Sequence, residues 1–199
     1  MFLIIGCGRS GTSYIATLLR TSKLDIGHEN FGKDGVVSWN MAVENGGFKS
    51  RVRELNGKEN DCEFSKILHQ VRHPLKQIRS FLTAELYTPK ATWDYISLYT
   101  SVNPKQNTTL LNCMKYYYEW NKICETRTAF MYKIEDIDIY YPKICDYLKI
   151  IPNYEALKDT KRDINNRPKI GNKLTWELLE KEDKILCNKI FNMSKKYKY

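Results

Sequence analysis

The order of sequence patterns predicts an α/β fold: a P-loop-like three-layer sandwich, with a mostly parallel central sheet flanked by helices. Three observations carry this. Phe2–Cys7 is a short continuous apolar run opening into glycine, as a strand buried on both faces should be. A helical pattern follows at once, with apolar residues at Tyr14, Ile15, Leu18 and Leu19. Strand-like and helix-like segments then alternate along the chain, which is the signature of parallel strands joined by helical crossovers. The 199 residues fit a single domain spanning 1–199.

Taken in order, Leu24–Gly27 reads as a second short strand. Residues 30–62 are rich in Gly, Asn and charge, and the spacing predicts only a helix around Val36–Val43. Phe64–Val71 reads as a strand. Pro74–Tyr87 reads as a helix, with Pro74 in its first turn, where a missing N–H costs nothing. Asn107–Glu125 predicts a long helix. Its Tyr116–Tyr118 run cannot face one side, so it packs in the core with one exposed edge. Thr128–Tyr132 is β-prone, and Tyr140–Leu148 is helical. Leu174–Tyr197 predicts a single terminal helix capped by Thr175. The basic end, Lys195–Tyr199, is expected to fray into solvent.

Composition narrows the function classes. Lys and Arg number 32 and Asp and Glu 23, a formal net charge of +9, which favours an anionic partner without choosing one. The six cysteines form no C-x-x-C pair and complete no zinc pattern with the three histidines. Reduced, buried thiols and no metal are expected. No apolar run approaches the ~20 residues of a membrane span, and no signal peptide is visible. These features predict a soluble, cytoplasmic protein.

Two motifs carry chemistry, and both fall at carboxyl ends of predicted strands, where open α/β sheets bind ligands. The first is Gly6-Cys7-Gly8-Arg9-Ser10-Gly11-Thr12-Ser13. A strand enters a glycine-rich turn that opens a helix, so backbone can approach an oxyanion and the helix N-terminus can receive it. Arg9 adds a forked cation, and Ser10, Thr12 and Ser13 add hydroxyls. Gly6-x-Gly8-x-x-Gly11 is formally a dinucleotide fingerprint with Glu29 as ribose acid. A Walker A loop would require a lysine before Thr12, and none is there. The third reading is the 5′-phosphosulfate loop of sulfotransferases, Lys/Arg-Ser-Gly-Thr-Ser/Thr, which Arg9–Ser13 matches at every position.

The second motif runs from Val71 to Ser80. Arg72 ends a strand and Ser80 lies eight residues on, about two turns into a helix. The guanidinium fork suits phosphate, and a serine on the facing side of the helix can join it on one group.

Together the motifs resemble the sulfotransferases that use 3′-phosphoadenosine-5′-phosphosulfate (PAPS), closest to the tyrosylprotein and carbohydrate members with Arg in the loop. Phe130–Asp136 is similar to the family's strand ending in Tyr-Glu-Asp-Leu, and Trp120-Asn121 agrees with it. The resemblance implies transfer of a sulfuryl group from PAPS, leaving adenosine 3′,5′-bisphosphate, without a metal. The acceptor would be a hydroxyl or amine of a small molecule, carbohydrate or peptide, not nucleic acid. Amides from Gly8 through Gly11 to Thr12, with the Ser10, Thr12 and Ser13 hydroxyls, would hold the 5′-phosphate. Arg9 would neutralise charge on the bridging oxygen. Arg72 and Ser80 would hold the 3′-phosphate, with Arg167 and Lys169 closing over it. The resemblance makes Glu29 the general base, with His28 as the alternative; it would set Tyr14 near the adenine, whereas the amphipathic helix pattern reads Tyr14 as a core aromatic. A P-loop kinase and a non-catalytic basic nucleotide- or nucleic-acid-binding protein are the competing readings.

Overall fold

The computed structural model describes residues 1–43, 64–85, 90–161 and 173–199. Strand β1 (Phe2–Ile5) is buried at every position. The glycine turn follows, then helix α1 (Thr12–Thr21), whose buried face is Tyr14, Ile15, Leu18 and Leu19, as the spacing predicts. Strands β2 (Ile26–His28) and β3 (Gly35–Val37) come next. Where a helix is expected around Val36–Val43, the chain instead forms β3 and a single 3₁₀ turn at Asn40–Ala42. A short apolar run carries no period, so strand and helix cannot be told apart there. The register against β1, Leu3 opposite Val36, decides it.

Strand β4 (Lys66–Val71) leads directly into α2 (Pro74–Glu85). Helix α3 (Lys90–Ser97) follows, then the long α4 (Thr109–Arg127), capped by the Thr108 side chain on the Leu111 N–H. Strand β5 (Met131–Lys133) precedes α5 (Ile137–Leu148) and the short α6 (Tyr154–Asp159). The expected single terminal helix is two: α7 (Trp176–Glu182) and α8 (Lys184–Lys196). Asp183 breaks it. Its extended backbone ends α7, and its carboxylate accepts the Leu186 N–H at 2.8 Å as the cap of α8. Thr175 caps α7 as expected.

The five strands are parallel, in the order β2-β3-β1-β4-β5. Alternation along β1 divides the core. Leu3 and Ile5 face one layer with Ile78, Phe81, Trp120 and Ile190; Phe2 and Ile4 face the other with Ile15, Leu18, Ile137 and Ile144. The predicted three-layer α/β arrangement is what the chain forms. From β1 the chain turns toward β2 and β3; from β4 it turns toward β5. The connections therefore diverge between the carboxyl ends of β1 and β4, which opens a crevice at that point.

The tail does not fray. Tyr197 is buried and donates to Glu125 at 2.8 Å, while Tyr199 donates to Glu135 at 2.7 Å. The aromatic bodies of these residues outweigh the charge of their lysine neighbours. Cys7, Cys124, Cys145 and Cys187 are free thiols, and these four and Cys113 are buried, as expected. No described helix is long and apolar enough to cross a membrane.

Candidate functional site

The first motif sits at the carboxyl end of β1, and Arg72 ends up beside it because β4 pairs with β1 in parallel register, Ile5 opposite His69. Gly6 is required by close approach. A Cβ there would lie 2.6 Å from the Gln70 carbonyl and 2.7 Å from Ser10 Oγ. Gly11 is required by conformation: its φ is +100°, and it occupies the N-cap position of α1 without supplying a side-chain cap. No side chain at the N-cap therefore takes the first N–H groups of α1, an arrangement able to receive an anion. Arg9 also adopts positive φ, 67°, which turns the loop.

Three consecutive loop carbonyls are held by side chains between Gln70 and Gln77. The Gly8 carbonyl accepts from Gln77 Nε2 at 2.9 Å, the Arg9 carbonyl from Arg72 Nη1 at 3.0 Å, and the Ser10 carbonyl from Gln70 Nε2 at 2.9 Å. In the other direction Arg9 Nε donates to Ser80 Oγ at 3.1 Å. The Gly8 N–H donates to Tyr116 Oη at 2.9 Å, and the Ser10 N–H closes a turn on the Cys7 carbonyl at 3.1 Å. Ser10 is completely buried under the loop. Gly8 and Ser10 therefore shape the turn, while Arg9, Gly11 and Ser13 keep accessible surface.

His28 ends β2 and Glu29 follows it, at the carboxyl end of the parallel sheet like the glycine loop. His28 Nε2 lies 3.2 Å from Thr12 Oγ1 and 3.3 Å from Ser13 Oγ, so the imidazole touches both hydroxyls at the start of α1. Burial, and after it the charge of Arg20, lower the His28 pKa and favour the neutral ring. Glu29, at φ 59°, is held by two donors: Ser38 Oγ at 2.6 Å and the Trp39 N–H at 3.3 Å. Ser38 also contacts the Asn40 side chain. His28 Nε2 and Glu29 Oε1 stand 3.8 Å apart.

The structure thus gathers Gly8–Ser13, Arg72 and Ser80 into one place, with His28 against its hydroxyls and Glu29 beside His28. Arg167 and Lys169 lie outside the described residues. Tyr14 is in the core of the α1 face, and the Tyr116–Tyr118 run buries two rings and leaves the third half-exposed. Sequence reasoning missed Gln70, Gln77, Ser38 and Trp39. The two glutamines carry no charge signal, and Ser38-Trp39 was absorbed into the expected helix. The eight-residue step of the second motif could have revealed Gln77, one helical turn before Ser80 and on the same face.

Glu135 completes the wall behind Arg72. It accepts the His73 N–H at 3.1 Å and the Tyr199 hydroxyl, with Lys76 at 3.7 Å. Burial lowers the Arg72 pKa, with Glu135 and Tyr199 opposing the shift.

No protein-family profile matches the chain. No curated protein matches it either. Among solved structures it is similar to a crystal structure of mouse sulfotransferase SULT7A1 complexed with PAP, at 12% identity and a TM-score of 0.47, covering 87% of this chain and 69% of that one.

Proposed function

We propose that the chain is a sulfotransferase that moves a sulfuryl group from PAPS to a hydroxyl of a small-molecule, carbohydrate or peptide acceptor. One observation carries the reading. The two phosphate-suited motifs, more than sixty residues apart, meet directly through Arg9–Ser80 and Arg72–Arg9 hydrogen bonds. A ligand with two phosphate groups on one ribose would span such a junction.

The residues present fit the donor. The uncapped start of α1 at Gly11, with the Thr12 and Ser13 hydroxyls, would take its 5′-phosphate. Arg72 and Ser80 would take the 3′-phosphate. When bound, PAPS supplies the sulfuryl group that is displaced in line.

Arg9 places a full positive charge at the loop, where negative charge grows on the departing phosphate. Its Nε is already committed to Ser80, which fixes the direction of the fork. The acceptor hydroxyl must lose a proton, and Glu29 takes it. Ser38 and the Trp39 N–H hold the carboxylate in one orientation. His28 Nε2 is engaged by the Thr12 and Ser13 hydroxyls, which leaves the proton to Glu29.

The test is calorimetric titration with adenosine 3′,5′-bisphosphate beside ATP–Mg²⁺ and NAD. Micromolar binding of the bisphosphate alone supports the reading. Binding of ATP or NAD in its place, or salt-sensitive nucleic-acid binding with none of the three, overturns it.

A further inference from the structure

We propose that Gln70 and Gln77 are positioning residues that set the polarity of the glycine loop, turning the Arg9 and Gly11 N–H groups toward the donor's 5′-phosphate. This rests on the donor reading above.

The argument starts from peptide planarity. In a trans peptide the C=O of one residue and the N–H of the next point in opposite directions. No described peptide is cis. Gln77 Nε2 draws the Gly8 carbonyl toward α2, so the Arg9 N–H turns away from α2. Gln70 Nε2 draws the Ser10 carbonyl toward β4, so the Gly11 N–H turns away from β4. Without these donors the Gly8–Arg9 and Ser10–Gly11 peptides lose the side-chain hydrogen bonds that fix their sense, and a flipped peptide would present a carbonyl to an anion.

Burial makes the assignment specific. Gln70 is 0% exposed and Gln77 1%. The Gln70 amide is fixed by the Tyr132 hydroxyl, which donates to Oε1 at 2.7 Å and leaves Nε2 to face the loop. Gln77 Oε1 is buried and has no hydrogen-bond partner among the described residues. An orphaned buried oxygen destabilises the fold, and methionine would fill the same space without it. Position 77 therefore bears a cost for the sake of its donor, and that donor reaches one loop carbonyl.

The test compares the full-length wild type with Gln77→Met and Gln70→Met. Calorimetry reads adenosine 3′,5′-bisphosphate against adenosine 3′-monophosphate, which lacks the 5′-phosphate. The expected result is a roughly ten- to hundredfold loss for the bisphosphate in either variant, with the monophosphate unchanged. General loosening would weaken both ligands together, and that result, or no loss at all, overturns the inference. If Gln70→Met fails to fold, Gln77→Met decides alone, and thermal melting confirms that it is folded. If the wild type does not bind the bisphosphate, the donor reading fails separately, and inorganic pyrophosphate becomes the probe. Pyrophosphate binding that the variants lose supports the positioning role. Binding that they keep, or none in the wild type, overturns it.

Discussion

Arg72 Nη1 donates to the backbone carbonyl of Arg9 at 3.0 Å, so a residue chosen for its charge also acts as a strut. The guanidinium has donors to spare. Nη1 holds the loop, and under the proposed function the rest of the fork takes the 3′-phosphate. Removing Arg72 should therefore damage two things at once. Arg72→Ala is expected to weaken adenosine 3′,5′-bisphosphate by about 100-fold or more, through lost charge-assisted bonds. Adenosine 5′-phosphosulfate, which lacks the 3′-phosphate, should weaken by a smaller, measurable factor, because the loop loses its strut. Competition binding with both nucleotides checks this; equal losses would show that Arg72 acts on the loop alone.

Glu29→Gln keeps the shape of the side chain and removes its basicity. Turnover is expected to fall by roughly 10²–10⁴-fold, the usual share of general base catalysis, while bisphosphate affinity stays within a fewfold of wild type. Initial-rate assays with a radiolabelled sulfuryl donor, run beside calorimetry, separate the two. Wild-type turnover in the variant would transfer the proton-abstracting role to His28. Ser38→Ala should give a milder loss, since it frees one carboxylate oxygen of Glu29 from its donor.

Gly8 and Tyr116 form a tight pair. A Cβ on Gly8 would lie 2.8 Å from Tyr116 Oη and 3.5 Å from Phe81 Cε2. Gly8→Ala should cost about 1–3 kcal/mol of stability by overpacking. Tyr116→Phe removes the obstructing oxygen, although it strands the Gly8 N–H. The double variant should accordingly lose less than the sum of the singles. Denaturant unfolding of the four proteins measures the coupling; strict additivity would contradict the contact.

His69 gives a pH signature unrelated to the site. Burial holds its pKa down to about 4, with Asn121 and Glu125 pulling the other way. Its Nε2 sits 3.0 Å from Asn121 Oδ1, so the neutral ring donates there. The unfolded chain takes up this proton near the ordinary value of 6.5, the folded chain only near 4. Between those values the unfolded state binds more protons, so the contribution is complete above 6.5 and declines as pH falls toward 4. Its full size is about 3 kcal/mol. Unfolding free energies at a series of pH values should show the decline in wild type and a flatter curve in His69→Phe.

Much of this could be read from the chain alone, and the unread parts have physical causes. Strand β1, α1, β4 and α2 announce themselves because apolar runs and a proline at a first turn are local signals. Both phosphate motifs are local too. Strand β3 is not, because Gly35–Val37 is made a strand by its neighbours in the sheet and not by any period of its own. The end of the chain misleads for the opposite reason: lysines dominate its composition, yet Tyr197 and Tyr199 decide its position. Gln70 and Gln77 declare nothing until folding brings them to the loop.

The convergence on the glycine loop has a consequence for folding. The partners Gly8–Tyr116 and Arg9–Arg72 are 108 and 63 residues apart in the chain. A grip built from contacts of such span forms late, after several loop closures, and cannot exist in a fragment. It ties the end of β1 to the end of β4 and to α4. Nucleotide binding should then shift the single, global melting transition rather than quiet a local fluctuation, and limited proteolysis should find no half-length piece that still holds ligand.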